Sequence, residues 1–316
     1  MELTGIHHLT AVSARIQENY LFYTKCLGMR LVKRSVNQDD VRAYHLFYAD
    51  ALGNPGTDLT FFDWPVPLER RGNGAIVRTS LRVAGSETLQ WWARFLADQD
   101  IATGEPNERD GRLTLDFEDP EGQRLALIDD GGAGEAHPWE KSPVPAEHQI
   151  RGLGPIVLSV PRLEPTDTFL REILTMRSVR NYPDPTNTHQ RVHVYEMGDG
   201  GVSAELHVAV QPDLSPTQSG AGGVHHVAFR TPDGEYDAWA DRLNALRVAN
   251  SGKIDRYWFR SLYFKEPNGI LFEIATDGPG FGIDEDEATL GEKVVLAPFL
   301  EPRREEIVSR LKPLDE

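Results

Sequence analysis

A chain of 316 residues with 40% apolar and 26% charged residues is long enough for about two globular domains. Its formal net charge of −16 argues against a nucleic-acid partner, because an acidic surface repels phosphate backbones. The single cysteine, Cys26, excludes an internal disulfide and a thiolate zinc site. No apolar run is long enough to span a membrane, and no signal peptide is visible, so we expect a cytoplasmic protein with no membrane partner.

The chain repeats one order of predicted elements four times: a strand, a helix, then further strands. The first copy has the strand-like GIHHLTAV, the helical ENYLFYTKCLG, and the strand-like RAYHLFYAD and TDLTFFDW. The second copy opens with IVRTSLRVAG and closes with the hairpin RLTLDFEDPEGQRLALID. The third runs from GLGPIVLSV to a hairpin that ends in AELHVAV. The fourth runs from GGVHHVAFRT through the helical EYDAWADRLNALRV to RSLYFKEP and GILFEIAT.

These copies divide the chain into six segments. In chain order we predict module one at 1–65, module two at 74–130, a linker at 131–151, module three at 152–212, module four at 222–277, and a tail with a helix at 278–316. The order predicts an α+β fold of paired modules, because each module's sheet needs a partner to cover its edge and its concave face.

Two of the four modules begin with the same pair of adjacent histidines. His7 and His8 lie in the first strand of module one, and His225 and His226 lie in the first strand of module four. Neighbouring residues of a strand point to opposite faces, so one histidine of each pair should face the concave side of its module. Modules two and three have no histidine at this position.

The closing hairpin of module four carries a carboxylate, Glu273, inside the apolar strand ILFEI. A buried carboxylate must be paired or coordinated. Aligned by their hairpin turns, modules one and two have Thr60 and Ala126 at this position. A single histidine on an apolar strand is usually a hydrogen-bonded core residue, but two matched pairs together with Glu273 are hard to explain as core filling. Two histidines and one carboxylate form a ligand set that suits non-haem Fe(II) and leaves coordination positions open.

The chain resembles the vicinal-oxygen-chelate superfamily, which includes glyoxalases, bleomycin-resistance proteins and extradiol dioxygenases. Within it, the chain is most similar to the hydroquinone ring-cleaving dioxygenases of the PcpA/LinE/MhqO-like group. The resemblance covers nearly the whole chain and rests on GIHHLTAVS, VNQDD, YHLFYAD, GNPGTDLTFFDWP, GGVHHVAF, DRYWFRSLYFKEPNGILFEIATD and LGEKVVLAPFLEPRR. It implies βαβββ modules that pair around a metal-holding cleft.

Matched motif by motif, the resemblance implies that His8, His226 and Glu273 bind the metal. It also implies catalytic roles for a surrounding set of five residues: His7, Thr10, His225, Arg256 and Tyr263. For the two histidines of that set, acid–base catalysis and the orientation of a ligand both remain open. The remaining histidines, including His45, are assigned to structural or exposed positions. Phe281 either closes over the cleft as a lid or pins the tail to the core.

The ligand positions determine which modules must pair. If the ligands come from modules one and four, these two modules form the catalytic half, and modules two and three form the other half. The implied reaction is Fe(II)-dependent insertion of O2 into a hydroquinone-type ring, with Mn(II) as an alternative metal and a homo-oligomer as the implied assembly. Two alternatives remain open: catechol extradiol cleavage and a glyoxalase-like isomerase or lyase reaction. Glyoxalase sites use a further carboxylate where this chain has Thr60, which argues against the last of these.

Overall fold

The structure, a computed structural model, describes residues 1–314. The last two residues of the predicted tail, 315 and 316, lie outside the described part. The sixteen strands form two separate eight-stranded sheets, and each sheet is built from two βαβββ modules.

The first sheet combines the strands of modules one and four. Its strands are β1 (Gly5–Ser13), β2 (Arg30–Val36), β3 (Tyr44–Ala49), β4 (Asp58–Asp63), β13 (Val224–Thr231), β14 (Ile254–Asp255), β15 (Arg260–Lys265) and β16 (Leu271–Thr276). Their order is β14-β15-β16-β13-β1-β4-β3-β2, so the two modules meet where β1 pairs antiparallel with β13. The last strand of each module, β4 or β16, lies next to the first strand of its own module and runs parallel to it.

The second sheet combines modules two and three in the same way. Its strands are β5 (Ala75–Val83), β6 (Asn107–Arg109), β7 (Arg112–Glu118), β8 (Arg124–Asp129), β9 (Leu153–Val160), β10 (Arg177–Asp184), β11 (Asn187–Glu196) and β12 (Glu205–Val210). The order β10-β11-β12-β9-β5-β8-β7-β6 again joins the modules through their first strands, β5 and β9. The predicted α+β fold and the pairing of module one with four and two with three are confirmed. The module boundaries themselves stay a prediction.

The helices are few and short. They are α1 (Ile16–Leu21), α2 (Ser86–Asp98), α3 (Leu163–Thr168), α4 (Tyr236–Ala245) and α5 (Arg304–Val308). The first and third continue into a wider turn, in which the amides of Leu27 and Leu174 donate to the carbonyls five residues earlier. Within residues 1–314 no helix is long and apolar enough to cross a membrane.

Strand alternation gives each sheet an apolar convex face and a more polar concave face. In β1, Leu9 and Ala11 join the main core, which also receives the fully buried Trp92 of α2 and Trp239 of α4. His8 of the same strand points to the other face. The helices therefore cover the convex faces, and the functional residues of the first sheet lie on its concave face.

The tail closes the concave face of the first sheet. Phe281 is buried, with its ring 5.1 Å from that of Phe47, so it pins the tail to the core. The ammonium of Lys33 is fully buried and pairs with Asp284, at 2.8 Å, and with Glu285. The predicted tail helix is observed as α5 after a short helical turn at Glu301–Arg303.

The concave face of the second sheet is filled by ion pairs instead. Glu205 is fully buried. Its carboxylate accepts hydrogen bonds from two guanidinium nitrogens of Arg112 at 2.7 Å and from Arg180 at 2.8 Å. His207 lies 2.9 Å from Glu205 and 3.0 Å from the hydroxyl of Tyr182. These contacts use the lone pairs of the carboxylate, so this half is held by a satisfied polar network.

Removing the charge of Glu205 should destabilise the fold without affecting the first sheet. We expect Glu205→Gln to lower the free energy of unfolding by about 2–3 kcal/mol, because Arg112 and Arg180 lose their shared carboxylate in a partly buried place. Chemical denaturation would measure this. The control is Glu164→Gln, an exposed glutamate of α3, which should change stability by less than about 0.5 kcal/mol. If Glu205→Gln lowered the free energy of unfolding no more than the control does, Glu205 would not stabilise this half of the fold.

Candidate metal centre

Three side chains of the first sheet converge on one point of its concave face. The Nε2 atoms of His8 and His226 are 3.4 Å apart, and Glu273 Oε2 lies 3.3 Å from the first and 2.9 Å from the second. Cis ligands of a metal with bonds of about 2.1 Å are about 3 Å apart, so the three atoms have the mutual spacing of one coordination sphere. The three residues come from modules one and four, as predicted.

The strand register explains how these residues meet. His8 of β1 pairs with Ala228 of β13, and Ala228 pairs with Glu273 of β16. Ala228 therefore lies between the imidazole and the carboxylate on the same face, and its single methyl group leaves the space between them open. Thr60 of β4 pairs with Thr10, two residues after His8, just as Glu273 pairs with Ala228, two residues after His226. Thr60 thus occupies the position in module one that Glu273 occupies in module four.

The environment of the Glu273 carboxylate fits a bound cation. The carboxylate is fully buried, and neither oxygen has a hydrogen bond of acceptable geometry. Burial alone would raise its pKa, but His8 and His226 outweigh burial and hold the pKa of Glu273 well below its usual range. An ionised, buried carboxylate without hydrogen bonds is costly unless a positive charge lies beside it. The two nitrogen donors and one oxygen donor suit a divalent transition metal.

The first histidine of each pair orients the imidazole ring of the second, which belongs to the cluster. His7 Nδ1 lies 2.9 Å from His8 Nδ1, and His7 Nε2 lies 3.0 Å from the carbonyl of Thr276. In module four, the Nδ1 atoms of His225 and His226 are 2.7 Å apart. If Nε2–H of His7 donates to the carbonyl, its Nδ1 accepts the proton of His8 Nδ1, which leaves His8 Nε2 unprotonated toward the cluster.

The electrostatics agree with neutral outer histidines. Burial, reinforced by the adjacent His8, lowers the pKa of His7 to about 3. Burial and the adjacent His226 likewise lower the pKa of His225 to about 3. A neutral imidazole can donate one hydrogen bond and accept another, as His7 must do between the Thr276 carbonyl and His8.

Arg256 and Tyr263 form one flank of the site. The guanidinium of Arg256 lies over the Tyr263 ring, 5.3 Å from its centroid, and its Nε lies 3.4 Å from the phenolic oxygen. It also pairs with the exposed Asp39 at 2.8 Å, which joins module four to module one at the cavity rim. Burial is the main cause that raises the pKa of Tyr263, so this phenol keeps its proton.

A narrow, partly enclosed cavity opens onto His8 and His226. Its walls are mostly aromatic, and its lining includes Asn37, Gln38, Asp39, His45, Phe47, Phe62, Arg256, Trp258, Phe259 and Tyr263. A wider groove elsewhere, near Arg78 and Arg124, lacks a comparable ligand set. The metal cluster and the small cavity therefore mark the candidate site.

One further group in residues 1–314 has ligand-like spacing, namely Asp110, Glu205 and His207. Arg112 and Arg180 both form ion pairs with Glu205, and Arg180 also pairs with Asp110 at 2.7 Å. Two guanidinium groups would repel a cation there, so we interpret this group as part of the ion-pair network.

The structure brings the predicted site residues together and adds one that the sequence analysis missed. Thr10 is fully buried and does not line the cavity; its hydroxyl lies 2.8 Å from that of Thr60. His45, assigned above to a structural or exposed position, lines the cavity, and its Nε2 lies 2.9 Å from Thr60 Oγ1. In the strand sequence YHLFYA nothing marks His45 as a functional residue. The pattern indicates only that a polar side chain lies on the concave face.

Comparison with known families gives one match over most of the chain. Residues 5–127 and 152–274 match the model of the glyoxalase/bleomycin resistance protein/dioxygenase superfamily. The two matched stretches contain all three residues of the cluster.

Comparison with characterised and named proteins gives relatives of similar length. A Bacillus subtilis protein, MhqA, which is provisionally named a ring-cleaving dioxygenase, is 44% identical over 99% of this chain and 100% of its own length. A chlorohydroquinone/hydroquinone 1,2-dioxygenase from Sphingobium indicum is 32% identical over 96% of this chain and 94% of its own length.

Solved structures match as well. The crystal structure of a provisionally named dioxygenase from Bacillus subtilis superposes with a TM-score of 0.91 at 33% identity, covering 99% of this chain and 98% of that one. Glyoxalase I from Zea mays superposes with a TM-score of 0.64 at 16% identity, covering 86% of this chain and 92% of that one, which shows a shared fold alone.

Loss of the carboxylate should abolish metal-dependent stabilisation. At a free metal concentration about a thousand times the Kd, binding to the folded state adds about 4 kcal/mol to stability. We expect Mn(II) or anaerobic Fe(II) to raise the unfolding temperature of the wild type and to leave Glu273→Gln unchanged. Calorimetry with metal and with chelator would measure both shifts.

The matched control is Glu266→Gln. Glu266 is another buried glutamate of module four, but it lies in the turn before β16, accepts hydrogen bonds from Thr166 of α3 and from Asn268, and does not line the cavity. This variant should keep the full metal-induced shift. An equal shift in Glu273→Gln would contradict the ligand assignment.

Proposed function

This chain belongs to the glyoxalase/bleomycin resistance protein/dioxygenase superfamily, and from that membership we propose that it is an Fe(II)-dependent ring-cleaving dioxygenase acting on hydroquinone-type substrates. The observation that carries the proposal is the convergence of His8 Nε2, His226 Nε2 and Glu273 Oε2, with the carboxylate buried and lacking hydrogen bonds. The names of the relatives, which include a hydroquinone 1,2-dioxygenase, support the reaction class.

The proposed ligand set determines what the metal can do. His8, His226 and Glu273 would hold Fe(II), which would supply the redox activation of O2. Mn(II) is the alternative metal for the same donors. Both substrates would then be held side by side, so that orientation contributes much of the rate.

Protein side chains supply the rest of the chemistry. Protonated Tyr263, whose ring lies 5.7 Å from that of His226, would donate a hydrogen bond to a substrate oxygen. Arg256 holds positive charge beside that phenol and offsets negative charge that develops on the substrate. His7 and His225 keep the ligand rings in place. Phe259 and Trp258 line the cavity and exclude water from the ring.

The isomerase alternative is disfavoured by module one. A glyoxalase-like site takes a further carboxylate from the partner module, and this chain has Thr60 at the position equivalent to Glu273. The hydroxyl of Thr60 is already engaged with Thr10 and His45. The cytoplasmic location and the homo-oligomeric assembly stay predictions from the sequence and the resemblance.

Oxygen uptake would test the reaction. We expect anaerobically Fe(II)-loaded protein to consume O2 when hydroquinone is added, with parallel loss of the aromatic absorbance, because both atoms of O2 enter the opened ring. A catechol sample measured alongside should react more slowly. Uptake with catechol alone would move the substrate class to ordinary extradiol cleavage. No uptake with either, at full iron content, would contradict the dioxygenase proposal.

Tyr263→Phe should impair turnover but not metal binding. We expect kcat/KM to fall about a hundredfold, because one hydrogen-bond donor to a developing oxygen charge is lost while the ligand set is intact. Tyr257→Phe is the matched control, since Tyr257 lies in the loop before β15 and its side chain does not line the cavity. If the two variants had similar kcat/KM values, Tyr263 would have no role in the reaction.

A further inference from the structure

His45 is a polar group of the cavity wall to which the reaction described above assigns no role. It lies on β3, on the concave face, and its ring contacts those of Phe47 and Phe62, with centroid distances of 4.0 and 4.5 Å. Its Nε2 is engaged with the hydroxyl of Thr60 at 2.9 Å. Three contacts thus hold the imidazole in a fixed orientation beside two aromatic rings of the wall, which is how a recognition group is preorganised.

The other ring nitrogen of His45 is available to a ligand. Among residues 1–314, Nδ1 has no hydrogen-bond partner. The side chain is partly exposed and lines the cavity, and Nδ1 itself is not fully buried, so a ligand in the cavity can reach it. When Nε2–H donates to Thr60, the neutral imidazole presents Nδ1 to the cavity as a hydrogen-bond acceptor.

His45 stands across the cluster from Tyr263. The strand order β15-β16-β13-β1-β4-β3 puts Tyr263 on one flank of the three ligand strands and His45 on the other. Both side chains line the same cavity, with Phe259 and Phe62 among the residues of its aromatic wall. A flat aromatic substrate in this cavity would therefore meet Tyr263 on one side of the cluster and His45 of β3 on the other.

A para-dihydroxy ring needs two such places. Its hydroxyls lie at opposite ends of the ring, so only one of them can reach the cluster. The other would be buried against aromatic side chains, and a buried hydroxyl without a partner costs about 1–3 kcal/mol. In a catechol the two hydroxyls are adjacent and can reach the cluster together, so no distant acceptor is needed.

We propose that Nδ1 of His45 binds the hydroxyl of the substrate that does not reach the metal, and that His45 thereby sets the preference for para-dihydroxy rings. The proposal rests on the function proposed above and names the residue that selects the substrate class. His45 is a binding residue in this account and takes no part in the oxidation itself.

Binding without oxygen tests this proposal. The probes are hydroquinone and 4-methylphenol, which keeps one hydroxyl for the metal and replaces the other by a methyl group of similar size. Calorimetric titration of anaerobic, Fe(II)-loaded protein gives a Kd for each. We expect the wild type to prefer hydroquinone by about tenfold, the contribution of one hydrogen bond to a buried hydroxyl.

Two variants separate the two nitrogens of His45. The amide nitrogen of His45→Gln can take the place of Nε2 beside Thr60 but leaves nothing at Nδ1, so the preference should fall about tenfold, to near one. The amide of His45→Asn reaches only the position of Nδ1, so it should keep most of the preference although the Thr60 contact is lost. His193→Gln on β11 of the other half is the matched control and should behave as the wild type.

Three results would overturn the proposal or part of it. An unchanged preference in His45→Gln, or an equal weakening of both probes, would reduce His45 to a wall residue. Failure of fully iron-loaded wild type to bind hydroquinone would overturn both this inference and the proposed function. Selective binding of hydroquinone without any O2 uptake would support the role of His45 and contradict the reaction alone.

Discussion

The antiparallel pairing of β1 with β13 is the constraint on which the candidate site depends. It joins module one to module four and places His8 opposite Ala228, which in turn pairs with Glu273. Register shifts between Ile6 and His8 and between Thr10 and Ala11 interrupt the pairing on both sides of the ligand. A slip by one residue would turn His8 away from the concave face and place Leu9 off the core, so the core packing of Leu9 and its neighbours also fixes the metal ligands.

The two sheets share one topology but use their concave faces differently. In the first sheet, small or polar residues such as Ala228 and Thr10 leave a space over the strands, and Glu273 is left without hydrogen bonds. In the second, Arg112 and Arg180 fill the corresponding face and satisfy Glu205. A carboxylate whose partners are already present contributes to the fold, whereas one without partners is suited to hold a cation.

Much of this could be predicted from the sequence. Strand alternation and the repeated strand–helix–strands order indicated the modules, and the ligand positions of His8 and His226 required modules one and four to pair. His45 could not be placed in the same way, because its exposure to the cavity depends on the curl of the sheet and on the side chains of Phe47 and Phe62. The contact of Arg256 with Asp39 joins residues more than two hundred positions apart across a module boundary, which no local pattern reveals.

The central claim is that three residues from the two ends of the chain hold one metal ion. Anomalous diffraction at the iron edge from crystals grown anaerobically with Fe(II) would test it most directly. The account predicts a single strong peak within bonding distance of His8 Nε2, His226 Nε2 and Glu273 Oε2. A peak at Asp110, Glu205 and His207 instead, or no peak at the first cluster in crystals that contain iron, would contradict it.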